Sequence, residues 1–226
     1  MVLKYLGQNG FLFELGGKTI VTDPFITGNP LAEEIDVASL EVDYILLTHG
    51  HGDHVADVES IARNNNAKII SNYELVQYYG EKGFEGHPMN HGGKWTFEFG
   101  TVKYVNAVHS SVLPDGTYGG NPGGFVIWNE DISFYIAGDT ALTLDMQLIP
   151  KTCPKLQFAI LPIGDNFTMG VDDAVMAAEF VDCNKIVGCH YNTFGFIEIN
   201  TEEAVEKFKE AGKELLLTEV GGTLEV

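Results

Sequence analysis

The chain has little positive charge and almost no arginine. Against 32 acidic residues stand 13 basic ones, Arg63 being the sole arginine, and the formal net charge is −19. Guanidinium forks are the preferred clamps for phosphate and nucleic-acid binders carry a basic footprint, so a polyanionic partner is disfavoured. Cysteine is just as sparse. Cys153, Cys183 and Cys189 form an odd set without metal-finger spacing, which reads as reduced core thiols in a cytoplasmic protein and argues against a disulfide framework. Long apolar runs are missing too. None approaches the ~20 residues of a membrane helix, and Met1-Val2-Leu3-Lys4-Tyr5 runs into strand-like sequence where a signal peptide would have its apolar stretch. What remains is an ordinary globular composition, 45% hydrophobic over 226 residues. It is expected to form one domain spanning 1–226 with a substantial core and no membrane association.

Histidine, in contrast, is concentrated. Three of the seven fall in Thr48-His49-Gly50-His51-Gly52-Asp53-His54, directly after the apolar run Tyr44-Ile45-Leu46-Leu47. That run has the composition of a buried strand, so the motif belongs in the turn at its end. In near-extended backbone His49 and His51 point to one side, and the glycines let the chain turn tightly. Asp53 and His54 lead into a stretch, 55–62, with the apolar spacing of an amphipathic helix. Imidazole and carboxylate donors suit zinc, iron, manganese or nickel. A polar loop with chance histidines is the alternative, and the density of ligand-type residues argues against it.

Around this motif the chain reads as many short strands with helices between them. Strands are expected at 2–6, 11–15 and 18–22, the last two joined by Gly16-Gly17 and the third ending at Asp23-Pro24. Taken alone, Asp23 is an ordinary turn residue. Residues 25–42 form a connection. A strand at 68–71 leads into a helix opened by a capping box at Ser71 and Glu74 and ended by Gly80. Residues 83–94, with His87 and His91, read as loop, followed by paired strands 95–99 and 101–108 that deliver His109. After the glycine-rich loop 110–124, strands at 125–128 and 132–137 end at Gly138-Asp139-Thr140. The hairpin, strand and aspartate at Asp23 and again at Asp139 form a weak internal echo. Then come a strand at 156–161, a helix at 171–181, a strand at 185–189 ending at His190, a helix from Asn200 to Ala211, and strands at 214–218 and 223–226.

His49, His51, Asp53, His54, His109, Asp139 and His190 thus all lie just beyond expected strands. Strand ends gather along one edge of a layered sheet, so these seven can converge there. They exceed what one tetrahedral ion needs and point to two divalent metal ions, zinc first, with manganese, iron or nickel as alternatives. A pair of ions lowers the pKa of water and stabilises attacking and leaving oxygens.

The pattern His-x-His-x-Asp-His, then His109, Gly138-Asp139-Thr140 and His190, with Thr22-Asp23-Pro24 near the start, resembles the metallo-β-lactamase superfamily across nearly the whole chain. Gly138-Asp139-Thr140, the stretch Pro162 to Gly170 and Cys189-His190-Tyr191-Asn192-Thr193-Phe194 look like its metal-dependent hydrolase branch related to the ascorbate-phosphate lactonases. The resemblance implies an α+β fold, an αββα sandwich of two mixed sheets flanked by helices, with the site along one edge. It puts His49, His51 and His109 on one metal and Asp53, His54 and His190 on the other, with Asp139 bridging them. Asp23 would hydrogen-bond a ligand histidine.

The expected activity is hydrolysis of a small lactone, ester or amide by a metal-bound hydroxide. Asn192 or Tyr191 would polarise the carbonyl and Asp53 would shuttle the proton; Tyr191 could equally only pack. His91 and Asp165 are open between substrate contact and surface roles, and Cys189 should face the core. A phosphodiesterase or nuclease of the same fold is the second reading, weakened by the acidity. An iron-binding redox or sensor protein is the third, weakened by the lack of a flavin-binding segment. The partner expected is a small-molecule substrate, with a homo-oligomer allowed.

Overall fold

The computed structural model describes residues 1–226. The first sheet takes β1 (Val2–Gly7), β2 (Gly10–Leu15), β3 (Lys18–Thr22), β4 (Tyr44–Leu46), β5 (Lys68–Asn72) and β6 (Gly86–Met89). The second takes β7 (Lys94–Phe97), β8 (Gly100–Asn106), β9 (Gly123–Trp128), β10 (Ser133–Ile136), β11 (Phe158–Pro162), β12 (Lys185–Cys189) and β13 (Glu214–Leu216), while β14 (Thr223–Glu225) returns to pair with β1. Helices α1 (Gly52–Val55), α2 (Val58–Asn65), α3 (Tyr73–Glu81), α4 (Ile149–Thr152), α5 (Val171–Phe180) and α6 (Thr201–Glu210) occupy the connections.

Both sheets have seven strands and one plan. β14, β1, β2 and β3 pair antiparallel, and β3 to β6 pair parallel. Likewise β7 to β10 are antiparallel and β10 to β13 parallel. The pivots are β3 and β10, which are also the strands that lead to Asp23 and Asp139. The echo in the sequence is therefore an echo in topology.

Period-2 alternation sorts the strands into layers. Phe11, Phe13, Ile20, Leu46 and Ile70 meet Tyr104, Phe125, Ile127, Phe134 and Ile160 between the sheets. Phe13 and Phe134 touch edge-on across that gap, with centroids 5.5 Å apart. The opposite face of the first sheet, with Val21, Ile45 and Ile69, packs on α2 and α3 through Ile61, Leu75 and Tyr79. That of the second, with Tyr135, Ala159, Leu161 and Ile186, packs on α5 and α6 through Ala174, Ala178 and Phe208. Parallel strands covered on both faces need continuous apolar runs, and β4 and β11 are buried at every residue. The result is an αββα sandwich.

Four local expectations are corrected. The helix over 55–62 is broken into α1 and α2, because the buried Asp57 between them accepts from the Ile26 and Thr27 amides (2.7 and 2.9 Å) and pins the long connection after β3. The cap of α3 is Asn72, whose Oδ1 accepts from Leu75 N, while Ser71 donates to Leu47 O. Gly80 lies inside α3, and Gly83, with φ +89°, follows its end. Residues 83–94 are not all loop: β6 forms the edge of the first sheet, the position at which a strand tolerates a proline such as Pro88.

One close contact joins the second pivot to the strand beside the first. Gly138, at φ +64°, lies so near Thr48 that an added Cβ would stand 2.6 Å from that side chain. This packs the loop after β10 directly on the end of β4. A left-handed conformation costs a residue with a side chain roughly 1–2 kcal/mol, before any clash. Gly138→Ala is therefore expected to destabilise the fold by about 2–4 kcal/mol, lowering the thermal midpoint by roughly 5–15 °C. An unchanged midpoint in calorimetry would refute the close-packing argument.

Candidate metal centre

Five strand ends supply the cluster: β3 gives Asp23, β4 the histidine motif, β8 His109, β10 Asp139 and β12 His190. All five strands end at one edge, so parallel direction, together with the Gly138 contact, does the gathering.

The organising group is Asp23, fully buried at φ +34°. It accepts from Thr48 N (2.8 Å), Thr48 Oγ1 (2.6 Å) and His54 Nδ1 (2.9 Å). Burial pushes its carboxyl pKa up, against the pull of His54 and Thr48. The Thr48 hydroxyl proton is committed to Asp23, so that oxygen can only accept from His49 Nδ1, 3.0 Å away. The network thus assigns an Nδ1 proton to both His49 and His54 and leaves each Nε2 as the nitrogen whose lone pair a metal ion would take. His54 Nε2 is buried without any hydrogen-bond partner.

Those lone pairs point at carboxylates and at other imidazoles. His49 Nε2 stands 3.0 Å from His51 Nδ1. Asp139 Oδ2 lies 3.1 Å from His190 Nε2, 3.4 Å from both His54 Nε2 and His109 Nε2, and 3.9 Å from His49 Nε2. Asp53 Oδ2 is 3.7 Å from His54 Nε2 and from His190 Nε2. Two sets of three donors result, His49/His51/His109 and Asp53/His54/His190, each with its ligand-type atoms within 4.8 Å of one another. Asp139 reaches into both. Asp23, His49 and His54 satisfy the same spacing, but both Asp23 oxygens are already engaged.

Packing these charges together shifts them strongly. Burial disfavours the imidazolium of His190, yet Asp139 and Asp53 raise its pKa to about 9. His54 is raised the same way. Asp139 is held well below the usual range by His190 and His54 despite its burial, and Asp53 is lowered by His54, His190 and Gln8. Burial and the neighbouring His54 lower His49. Carboxylates and imidazoles thus face one another across a space where a cation fits.

Two residues of the β1–β2 turn complete the cluster and were not singled out from the sequence. Asn9, buried, donates from Nδ2 to Asp139 Oδ1 (2.6 Å) and accepts from Cys189 Sγ at its Oδ1 (2.8 Å). Cys189 packs in the inter-sheet core as expected, but it also fixes the orientation of that amide. Gln8 donates from Nε2 to Asp53 Oδ2 (2.9 Å), and its carbonyl accepts from His190 N (2.9 Å). A Gly-Gln-Asn-Gly turn gives no hint that its polar side chains fold inward.

The remaining candidates sit elsewhere. The Tyr191 hydroxyl donates to Thr218 O (3.3 Å). Asn192, at φ +57°, accepts from Ile199 N through Oδ1 (2.8 Å), leaving its Nδ2 uncommitted. His91 Nε2 donates to Pro122 O (2.9 Å), tying the loop before β9 to the end of β6. Asp165 is exposed, and its Oδ1 accepts from Asn166 N in the turn before α5. Neither His91 nor Asp165 joins the cluster.

The sequence profile described as the metallo-beta-lactamase superfamily matches residues 4–190. A "UPF0173 metal-dependent hydrolase" of Flavobacterium johnsoniae is 60% identical over 226 residues, covering 100% of both chains. Another so named, from Christiangramia forsetii, is 57% identical over 227 residues and also covers 100% of both. Among solved structures, Igni18, a metallo hydrolase from Ignicoccus hospitalis, superposes with a TM-score of 0.89 at 33% identity, covering 100% of this chain and 98% of that one. The chain belongs to the metallo-β-lactamase superfamily.

If Asn9 holds Asp139 in place, Asn9→Ala should weaken divalent-metal binding by about 10–100-fold, the usual cost of losing a partner behind a ligand. Competition with a chelating dye measures this directly. Wild-type affinity in a folded Asn9→Ala protein would dismiss the brace.

Proposed function

We propose that this superfamily member is a metal-dependent hydrolase holding two divalent ions, zinc first, with manganese, iron or nickel as alternatives. The reading is carried by one observation: Asp139 Oδ2 lies within 4 Å of ring nitrogens belonging to both donor sets. His49, His51 and His109 would hold one ion and Asp53, His54 and His190 the other, with Asp139 shared. The donors fit such ions: the buried Nε2 of His54 has no hydrogen-bond partner and faces the other donors, and nitrogen with carboxylate oxygen suits zinc and its neighbours. When bound, paired ions supply an activated water at neutral pH and stabilise charge on the attacked and leaving oxygens.

The protein's own groups do the rest. Asp23 keeps two imidazoles in the ligating tautomer. Asp53, 28% exposed where Asp139 is 3%, is the carboxylate with access to solvent and takes the role of moving the proton. Asn192, its Oδ1 held by Ile199 N, has Nδ2 available as donor to a developing oxyanion. Tyr191, whose hydroxyl donates to Thr218 O, is not given that role. The substrate class is a small lactone, ester or amide. A nucleic-acid phosphodiester is disfavoured, because the single arginine stacks over Phe84 (5.1 Å) and pairs with Glu59, remote from any phosphate-binding duty.

Elemental analysis of protein purified without chelator should find close to two transition-metal ions per chain. His51→Ala and Asp139→Ala should each lower hydrolysis of neutral lactones and esters by more than ~100-fold, beyond the loss expected for an outer partner. One ion or fewer after reconstitution, or hydrolysis surviving both substitutions, would overturn the assignment.

A further inference from the structure

One cavity, about 840 Å³, is lined by none of the seven clustered side chains. It begins where they end. Tyr191 and Asn192 line it directly after His190, so its near wall is within about 7 Å of chain from the cluster. Tyr5 lines it as well and donates to the Gln8 carbonyl (3.2 Å), the same carbonyl that accepts from His190 N. Gln8 in turn donates to Asp53 (2.9 Å). The cavity wall and two of the proposed ligands therefore share one residue.

Its lining has a definite chemistry. Leu31 and Val205 contribute to it while 49% and 39% exposed, apolar surface left to water in the free protein. The only charged side chains are Glu202 and Glu219, and no lysine, arginine or histidine is present. Both tyrosine hydroxyls donate to backbone carbonyls, and the uncommitted side-chain donors are Asn192 Nδ2 and the hydroxyls of Thr201 and Thr218. The two carboxylates, with no cationic side chain to offset them, disfavour an anion. An uncharged apolar group with a carbonyl near Asn192 is accommodated, in a volume ordinary for small-molecule sites.

We propose that this cavity receives the non-reacting part of the substrate, so that the enzyme acts on neutral esters or lactones bearing a medium-length apolar substituent. The assignment rests on the hydrolytic reading above, and its test separates the two. The neutral probe N-phenyl-1-naphthylamine, titrated into metal-loaded protein, should bind saturably. Val205→Trp, filling the cavity from α6, should weaken it by at least about tenfold, and Leu31→Trp should do the same from the loop after β3 should the first variant fail to fold. The sulfonated analogue 8-anilinonaphthalene-1-sulfonate should bind at least about tenfold more weakly than the neutral probe. On p-nitrophenyl esters, KM should fall from acetyl to octanoyl, and Val205→Trp should flatten that trend. No saturable probe binding, binding indifferent to both tryptophans, or equal binding of the anion overturns the cavity assignment even if esters are hydrolysed. Probe binding as described with no ester or lactone cleaved overturns the hydrolytic reading and the substrate role with it.

Discussion

A buried carboxylate must be satisfied or neutralised, and at Asp23 that requirement shapes everything near it. Taking the charge out of water costs several kcal/mol unless hydrogen bonds replace the lost solvation. Thr48 and His54 provide them, and they are the residues that begin and end the histidine motif. Satisfying one acid therefore fixes the backbone where β3 and β4 end, and it fixes which nitrogen of each neighbouring imidazole is free. Folding energetics and ligand preparation are one network here.

Asp139 is its counterpart on the second sheet and has the opposite character. Asp23 gives both oxygens to protein donors. Asp139 gives Oδ1 to Asn9 and turns Oδ2 toward four imidazoles. Two acids at matching points of two matching sheets thus divide the work, one holding the scaffold and one facing the space between the rings. The Cys189 thiol, through Asn9, ties this second acid to the strand that carries His190.

The fold was largely legible because its strongest signals are periodic and local. The alternating run of β2, the continuous apolar runs of β4, β9 and β11, and the Gly-Gly hairpin all state their role in a few residues. The ligand-type residues were legible because histidines spaced by single glycines, with a carboxylate among them, set several donor atoms within reach of one point. Gln8 and Asn9 were not, since nothing in a turn sequence says that its amides point inward; only the long-range approach of β1 and β2 to Asp53 and Asp139 decides that. The helix break at Asp57 was hidden for the same reason, its cause being amides 30 residues away at Ile26 and Thr27. Tyr191 and Asn192 could be placed beside His190, but the direction of a hydroxyl or an amide is set by partners such as Thr218 and Ile199 that spacing cannot reveal.

Each sheet reverses its pairing direction at a single strand, β3 or β10, and the loops leaving either side of such a strand part to open a crevice. Because the two sheets are stacked, the two crevices merge into one cleft whose floor is made of strand ends and whose walls are loops. Within those walls the backbone pairs only in isolated bridges, Val112 with Tyr118 and Gly164 with Gly170. Lengthening or rewriting the loops after β8, β11 or β12 beyond His109 and His190 therefore leaves the floor intact, and mutational freedom is concentrated where it alters the choice of substrate and not the chemistry performed on it. An architecture of this kind is one on which evolution can change specificity readily and reactivity hardly at all.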